Sequence, residues 1–589
     1  MKRDSKSIDM IGRVFRNMFA VQILTMLTGI AGSVVDGMVT GKFLGEAAMA
    51  AFGFTNTVTL LVAIVGSVLS TGTAVLCGNS LGKGELDRTR DRFSVCFTAT
   101  LLTAAVLAVV IFVSAVPAAK LLGAKNELIQ LASDYIRGYA IACPGVLFVA
   151  FLMPVMQMDG QMNRLMAAVA VMTVGDIAAD LFNVLVLHGG MFGMAAATAA
   201  SYYLALCVLL PHFQKRNGIF TRPRLALDGG TVSEMIRNGI PTAVSQLGRL
   251  LLNFLFNLCL MRLYGGSAVA AHAVILSAGN LCLVPGSALG TSTQVITGVL
   301  CGEEDRSGIK SLLKTAARYN LIVNGLCMLV FFLLARSIVS LFYTGASPAE
   351  LAVTGFRYYT LCMVFYGVNL IMRSYCQGSS QSAKAIVITL CDCFVAPLCM
   401  AVLLGALSGL PALWLCFAVG EGLVSLIVLA LFRLRSGKQT GFEAFIPFTS
   451  SFGQDILASF ECVIDKNDVG EAVRVSRETS SFCLQSGADR RTAFLLGLAV
   501  EEAVGNVIEH GFSDGKPHSI ALCVRKKPDC WLVRIRDDCR LFDVKKYMEQ
   551  YTSDDPAQNI GLKMIMGAAE DVTYYNALSL NNLTLKLPV

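Results

Sequence analysis

From the N-terminus to Arg435 the chain alternates long apolar runs with short polar breaks, and beyond Arg435 the pattern changes. Crossing a bilayer takes roughly 20 apolar residues in a helix. Runs that satisfy this fall at about 14–40, 49–79, 90–115, 132–157, 163–188, 191–211, 237–263, 268–300, 313–342, 350–376, 382–406 and 409–434, which makes twelve. After Arg435 the apolar positions form short clusters among charges, as in a folded α+β domain. That part predicts helices over 496–512 and 561–569 and strands over 519–525 and 531–536.

The first half of the apolar region is echoed by the second. Gly78-Asn-Ser-Leu-Gly-Lys-Gly-Glu-Leu-Asp-Arg88 follows the second run, and Gly298-Val-Leu-Cys-Gly-Glu-Glu-Asp-Arg306 follows the eighth. Gly160-Gln-Met-Asn-Arg164 precedes the fifth run and is matched by Gly378-Ser-Ser-Gln-Ser-Ala-Lys384 before the eleventh. An offset of about 220 residues makes two copies of six spans in the same orientation, a repeat typical of secondary transporters. The expected fold is membrane all-α, with twelve transmembrane helices in two six-helix lobes and a C-terminal cytoplasmic α+β domain. The expected divisions are an N-terminal lobe 1–211, an inter-lobe linker 212–236, a C-terminal lobe 237–435, a linker 436–450 and a soluble domain 451–589.

Composition agrees. With 55% hydrophobic and 15% charged residues, the chain is too apolar for a soluble protein. Residues from Ser451 onward hold 16 Lys and Arg against 20 Asp and Glu, so about +11 of charge falls before it in a chain of net +7. The basic segments are the N-terminus, 83–92, 215–224 and 306–318, all on one side of a twelve-span body. The positive-inside rule then puts both termini in the cytoplasm of a multi-pass protein of the cell membrane. No basic stripe with interleaved aromatics suggests nucleic acid. The 19 cysteines show no metal-ligand spacing and read as small buried apolar residues.

Ionisable groups inside spans are costly and mark functional sites. Asp36 lies in the first span, and Asp176, Asp180 and Asn183 in the fifth. Asp176 and Asp180 are four residues apart and share a helix face. If the two spans meet, these groups form an acidic cluster that could take H⁺ or Na⁺; alternatively, a single acid caps a neighbouring helix. The second lobe carries Arg249, Asp392 and Glu421. Arg249 pairs with one of these acids or meets an anionic substrate group.

The first 435 residues resemble the multidrug and toxic-compound extrusion (MATE) family. The likeness rests on Val34-Val-Asp36 with Gly41 and Gly45, the Gly-rich loops after spans two and eight, Gly239-Ile-Pro241, and Asp176 with Asp180. The resemblance implies two lobes and H⁺- or Na⁺-driven efflux of small organic compounds, with cation-site residues carried onto Asp36, Asp180 and Asn183. Asp176 stands where the family often has asparagine. Val21 replaces a frequent proline, and Arg249 replaces a glutamate found in some members, which argues against a Na⁺ site in the C-terminal lobe.

The stretch Leu498-Ala-Val-Glu-Glu-Ala-Val-Gly-Asn-Val-Ile-Glu-His-Gly-Phe512 resembles the GHKL ATPases, and more closely the anti-sigma-factor serine kinases. The resemblance implies that Asn506 supplies an oxygen to Mg²⁺, Glu502 acts as catalytic base, Asp537 binds the adenine amino group and Gly561 opens the phosphate-side helix. Cys539 and Asn559 stand where that family has glycines. No Walker-A lysine loop occurs, which excludes an ABC-type pump.

Two functions follow. One is a cation-coupled exporter whose tail binds ATP with Mg²⁺ and regulates transport or a cytoplasmic protein partner. The other is a membrane-anchored signalling protein whose tail is a serine kinase. A flippase for lipid-linked substrates is the third reading.

Overall fold

A computed structural model describes residues 10–214, 219–340, 347–435, 440–450, 452–465, 467–512, 517–539, 567 and 569–589, with backbone only at 347–349 and 407–412. Among these residues, eleven helices are long and apolar enough to cross a membrane. Spans one to six are Met10–Leu44, Glu46–Gly82, Leu86–Val113, Glu127–Met158, Met162–Leu187 and Gly190–Gln214. Spans seven to nine are Gly229–Tyr264, Gly266–Gly302 and Arg306–Leu333, and spans eleven and twelve are Ser382–Ala406 and Cys416–Arg435.

The tenth expected span is divided into two helices, Ser347–Thr360 and Met363–Gly378. The chain tightens between them, where Leu361 and Cys362 donate to the carbonyls three residues back at 3.3 and 3.1 Å. Asn369 and Arg373 on the second segment both turn to partners in other helices.

The internal repeat is visible in the backbone. Positive φ angles recur at Gly45 and Gly265 (89° and 81°), at Gly84 and Glu304 (76° and 56°), and at Gly160 and Ser380 (69° and 59°). Each pair is separated by the offset read in the sequence. Twice the second copy has replaced glycine with a residue that resists this conformation.

Spans one to six pack together as one lobe and spans seven to twelve as the other. The lobes meet chiefly through span two against spans seven and eight, and span one against span eight. This seam is tight at Gly72 against Met235 and again at the end facing the C-terminal domain. A Cβ on Gly82 would lie 2.0 Å from the Val299 carbonyl oxygen, and one on Gly302 would lie 2.2 Å from that of Asn79. Small residues let the helix backbones approach this closely. Further into the body the lobes part around a cleft of about 1140 Å³, bordered by spans one, two, seven, eight and ten. Outward-facing Val106, Val109, Val113 and Phe254 are more than 60% exposed, as expected of side chains that meet lipid.

The C-terminal domain is an antiparallel sheet in the order β1-β2-β3-β5-β4, made of Ala458–Ile464 (β1), Ile520–Lys526 (β2), Cys530–Asp537 (β3), Asp571–Ala577 (β4) and Leu580–Pro588 (β5). Helices α1 (Val469–Gln485) and α2 (Arg490–Asn506) are N-capped by Asp468 and Asp489, whose carboxylates accept the Gly470 and Thr492 amides at 2.9 and 2.7 Å. The alternation of β3 puts Trp531, Val533 and Ile535 in a core with Leu496, Val500 and Val504 of α2. The opposite face carries Arg534 and Arg536 of β3, with Arg525 beside them on β2. The predicted strands are found, and the 496–512 helix ends at Asn506, continuing as a wider π turn over Val507–Gly511. Most of the predicted 561–569 helix lies outside the described residues.

Candidate functional site

Three of the four N-lobe residues singled out in the sequence come together. Asp36 and Asp176 line a cavity of about 340 Å³ with Tyr135, Tyr139, Ser201 and Tyr202, and Asp180 is 1% exposed with its carboxyl against that of Asp36. Gly32 lets span one pass close to span five, since a Cβ there would sit 3.7 Å from Asp176 Oδ2. Asp36 Oδ1, Asp176 Oδ1 and both Asp180 oxygens are buried with no hydrogen-bond donor among the described residues. Carboxylate oxygens left this way call for a proton or a hard cation, and the donor set fits either.

Asn183 is placed differently from the expectation. Its Oδ1 accepts the Gly189 amide at 3.1 Å and its Nδ2 donates to the Gly190 carbonyl at 3.2 Å. Its amide thus braces the turn between spans five and six and does not line the acidic cavity. Asn183 opens a π turn (Asn183–Leu187) at the end of span five, and Asp392 lies in another (Cys391–Val395) within span eleven. Such bulges often accompany functional sites.

Arg249, Asp392 and Glu421 share a cavity of about 320 Å³ in the C-lobe, but the expected pairing is not formed. Arg249 Nη2 donates to the Tyr366 hydroxyl at 2.7 Å and, among the described residues, meets no carboxylate within 4 Å. The cation beside Asp392 is Arg373, at 3.7 Å, which also donates to Ser245 Oγ at 3.0 Å. Asn369 Nδ2 binds Glu421 Oε2 at 2.7 Å and reaches Asp392 Oδ1 at 3.4 Å. Arg373 and Asn369 are polar residues inside the tenth span, so the rule that picks out intramembrane charge would have found the arginine.

In the C-terminal domain, Glu502 and Asn506 stand one turn apart on α2 and are both half-buried. Asp537 ends β3, where Oδ1 accepts the Asn581 side-chain amide at 2.8 Å and the Cys539 amide at 3.0 Å. Burial pushes the Asp537 carboxyl above its usual range, although Asn581 and the Cys539 amide oppose the shift. The Cys539 side chain is packed against Gly511, where a Cβ would come 2.7 Å from the sulfur. The hard amide oxygen of Asn506 and the fixed carboxyl of Asp537 fit a Mg²⁺-nucleotide donor set. Gly561 and Asn559 lie outside the described residues.

Sequence reading missed how this domain sits on the membrane body. Arg536 pairs with Glu303 and, at 3.2 Å, with Asp305. Arg525 and Arg534 donate to the Glu303 carbonyl at 2.7 and 3.0 Å, and Lys527 pairs with Glu304 at 3.2 Å. These groups lie at the C-terminal end of span eight, where the helix dipole favours cations. The other lobe is gripped as well. Leu578 N donates to the Met158 carbonyl at 2.7 Å, Ser579 Oγ to that of Gly160 at 3.1 Å, and Arg13 pairs with Asp538 at 2.5 Å. The signal available in sequence was the alternation of Arg534 and Arg536 on a strand otherwise built for burial.

Two apolar lobes around a central cleft, with acids buried inside each of them, define a multi-pass membrane transporter of the two-lobed class. Residues 22–182 and 241–426 match the MatE family, and the chain belongs to it. Residues 466–587 match the histidine kinase-like ATPase domain. The chain is 22% identical over 351 residues to the probable multidrug resistance protein YoeA of Bacillus subtilis, covering 58% of this chain and 76% of that one. It is 23% identical over 426 residues to an FAD transporter of Shewanella oneidensis, covering 69% and 91%. Among solved structures, a MATE protein in complex with MaL6 superposes with a TM-score of 0.68 at 18% identity, covering 75% of this chain and 99% of that one. That likeness concerns the fold.

Proposed function

We propose that this protein is a cation-coupled antiporter that exports organic compounds across the cell membrane, with both termini cytoplasmic and a C-terminal domain that binds ATP and regulates it. The observation that carries the reading is the cluster of Asp36, Asp176 and Asp180, with four buried carboxylate oxygens lacking a donor. The cluster lies in its own cavity beside the substrate cleft, so loading it with H⁺ or Na⁺ changes the charge and packing of one lobe without occupying the cleft. Relatives named as a multidrug resistance protein and an FAD transporter support export of organic molecules.

The tail is the regulator in this reading. Alternating access requires the seam at Gly82 and Gly302 to open. The tail domain touches Met158 and Gly160 of one lobe and Glu303 to Asp305 of the other, so it spans that seam. Nucleotide held by Asn506 and Asp537 would act on transport by tightening or releasing this brace. Asn506 would hold the Mg²⁺ and Asp537 the base of a bound nucleotide, which would bring negative charge to the domain. The retained Glu502–Asn506 spacing also favours a second reading, a serine kinase acting on a cytoplasmic protein.

The test is gradient-driven transport in proteoliposomes carrying the full chain. Asp36→Asn and Asp180→Asn should each abolish coupling to an imposed H⁺ or Na⁺ gradient while the protein stays folded. Undiminished coupled transport in both variants would overturn the proposal.

A further inference from the structure

We infer that the exported compound is an organic anion whose carboxylate or phosphate is held by Arg249 and Arg373 in the central cleft. This rests on the exporter reading and goes further by naming the substrate class. Of the described residues that line the cleft of about 1140 Å³, Arg249 and Arg373 are the charged ones, and no Asp or Glu is among them. Both come from the C-lobe, from spans seven and ten.

The buried acids of the membrane core do not themselves line the cleft. Asp36 and Asp176 open into the N-lobe cavity, while Asp392 and Glu421 border the adjoining C-lobe cavity, whose wall shares Arg249 and Tyr366 with the cleft. Asp392 is 1% exposed and stands 3.7 Å from Arg373, a long ion pair. Arg249 has a neutral partner in the Tyr366 hydroxyl at 2.7 Å. Among the described residues, Nε and Nη1 of Arg249 and Nε and Nη2 of Arg373 make no hydrogen bond. A guanidinium is a rigid fork of donors matched to carboxylate and phosphate oxygens. An organic cation would meet two like charges on the cleft wall, where the nearest acid, Asp392, is buried behind Arg373. The rest of the wall mixes hydroxyls and amides (Ser67, Thr71, Gln246, Asn280) with apolar Ile30 and Leu281, suited to an amphipathic body.

The inference is tested in proteoliposomes with carboxyfluorescein as anionic probe and tetraphenylphosphonium as cationic probe. The expected result is gradient-driven movement of carboxyfluorescein, with tetraphenylphosphonium excluded. Arg249→Met and Arg373→Met should each raise KM for the anion at least tenfold, and Arg249→Lys should recover part of the loss. Movement of tetraphenylphosphonium alone, abolished by Asp180→Asn, would leave the exporter reading standing and overturn the anion inference. Carboxyfluorescein transport that depends on the arginines but not on Asp180 would do the reverse. If neither probe moves, fluorescence anisotropy of carboxyfluorescein with the detergent-solubilised full chain decides. Equal or absent binding in wild type and the arginine variants would overturn the inference.

Discussion

The guanidinium of Arg536 is buried against the carboxylate of Glu303, with side chains 7% and 1% exposed. One lies on a strand of the C-terminal domain and the other at the end of span eight. Removing one partner of a buried pair leaves an uncompensated charge and costs about 3–5 kcal/mol. Arg536→Met should therefore loosen the domain by that order, seen as faster proteolysis of the linker before β1 and a lower unfolding temperature. Arg536→Met with Glu303→Leu should recover part of the loss, because Glu303 no longer leaves a buried charge unpaired, while Asp305 loses its arginine but keeps the Gly308 amide and the Ser307 hydroxyl.

Local signals made much of the architecture legible. The change at Arg435, the duplicated lobes and the strands β2 and β3 follow from apolar period and glycine placement, both properties of neighbouring residues, whereas β1, β4 and β5 are not among the predicted strands. Asp176 and Asp180 could be put on one face because helical spacing fixes it. The partner of Arg249 could not, since helix rotation decides whether Tyr366 or a carboxylate faces it. Asn183 reads as a cation ligand by position, yet the turn at Gly189 uses its amide. The grip of Arg536 on Glu303 joins residues more than two hundred positions apart and has no local signature.

The seam between the lobes makes a second prediction. A methyl group at Gly302 would lie 2.2 Å from the Asn79 carbonyl oxygen, and backbone cannot give way as a flexible side chain can. Overpacking of this kind costs about 1–3 kcal/mol. Gly302→Ala should weaken the closed seam relative to the open one. Spin labels flanking it in the full chain should report a longer distance than in wild type, and an unchanged distance would count against the closure described here.

The hairpin between β4 and β5 turns through Leu578 and Ser579, both at positive φ (58° and 63°). Glycine removes the steric cost of that conformation, roughly 1 kcal/mol per residue. Ser579→Gly gives up one hydroxyl contact with Gly160, so the gain and the loss are of similar size. The expected unfolding temperature is within a few degrees of wild type, whereas Ser579→Val, β-branched and at positive φ, should lower it clearly.

Nucleotide binding is checked by titrating the full chain with Mg²⁺-ATP. Asn506→Ala removes the amide oxygen proposed to bind the metal and should weaken Mg²⁺-dependent affinity by tenfold or more. It should affect binding in the absence of Mg²⁺ much less. Equal affinity of wild type and variant with the metal present would place nucleotide elsewhere or nowhere.

Acid should release the brace. Burial opposes ionisation of Asp305, but the Arg536 guanidinium, the Gly308 amide and the Ser307 hydroxyl outweigh it and hold the carboxyl below its usual range. A depressed carboxyl pKa stabilises the docked state fully above the unfolded value of about 3.9, and that stability is lost as pH falls through the lower folded value. Docking should hold through neutral pH and weaken only below about pH 4. Burial shifts Asp537 the other way, so the quantity to read is the difference between wild type and Asp305→Asn. Hydrogen exchange at the backbone of β3, followed from pH 7 into acid, should show the wild-type advantage shrinking below that value. A constant difference across the range would show that Asp305 contributes by shape and not by charge.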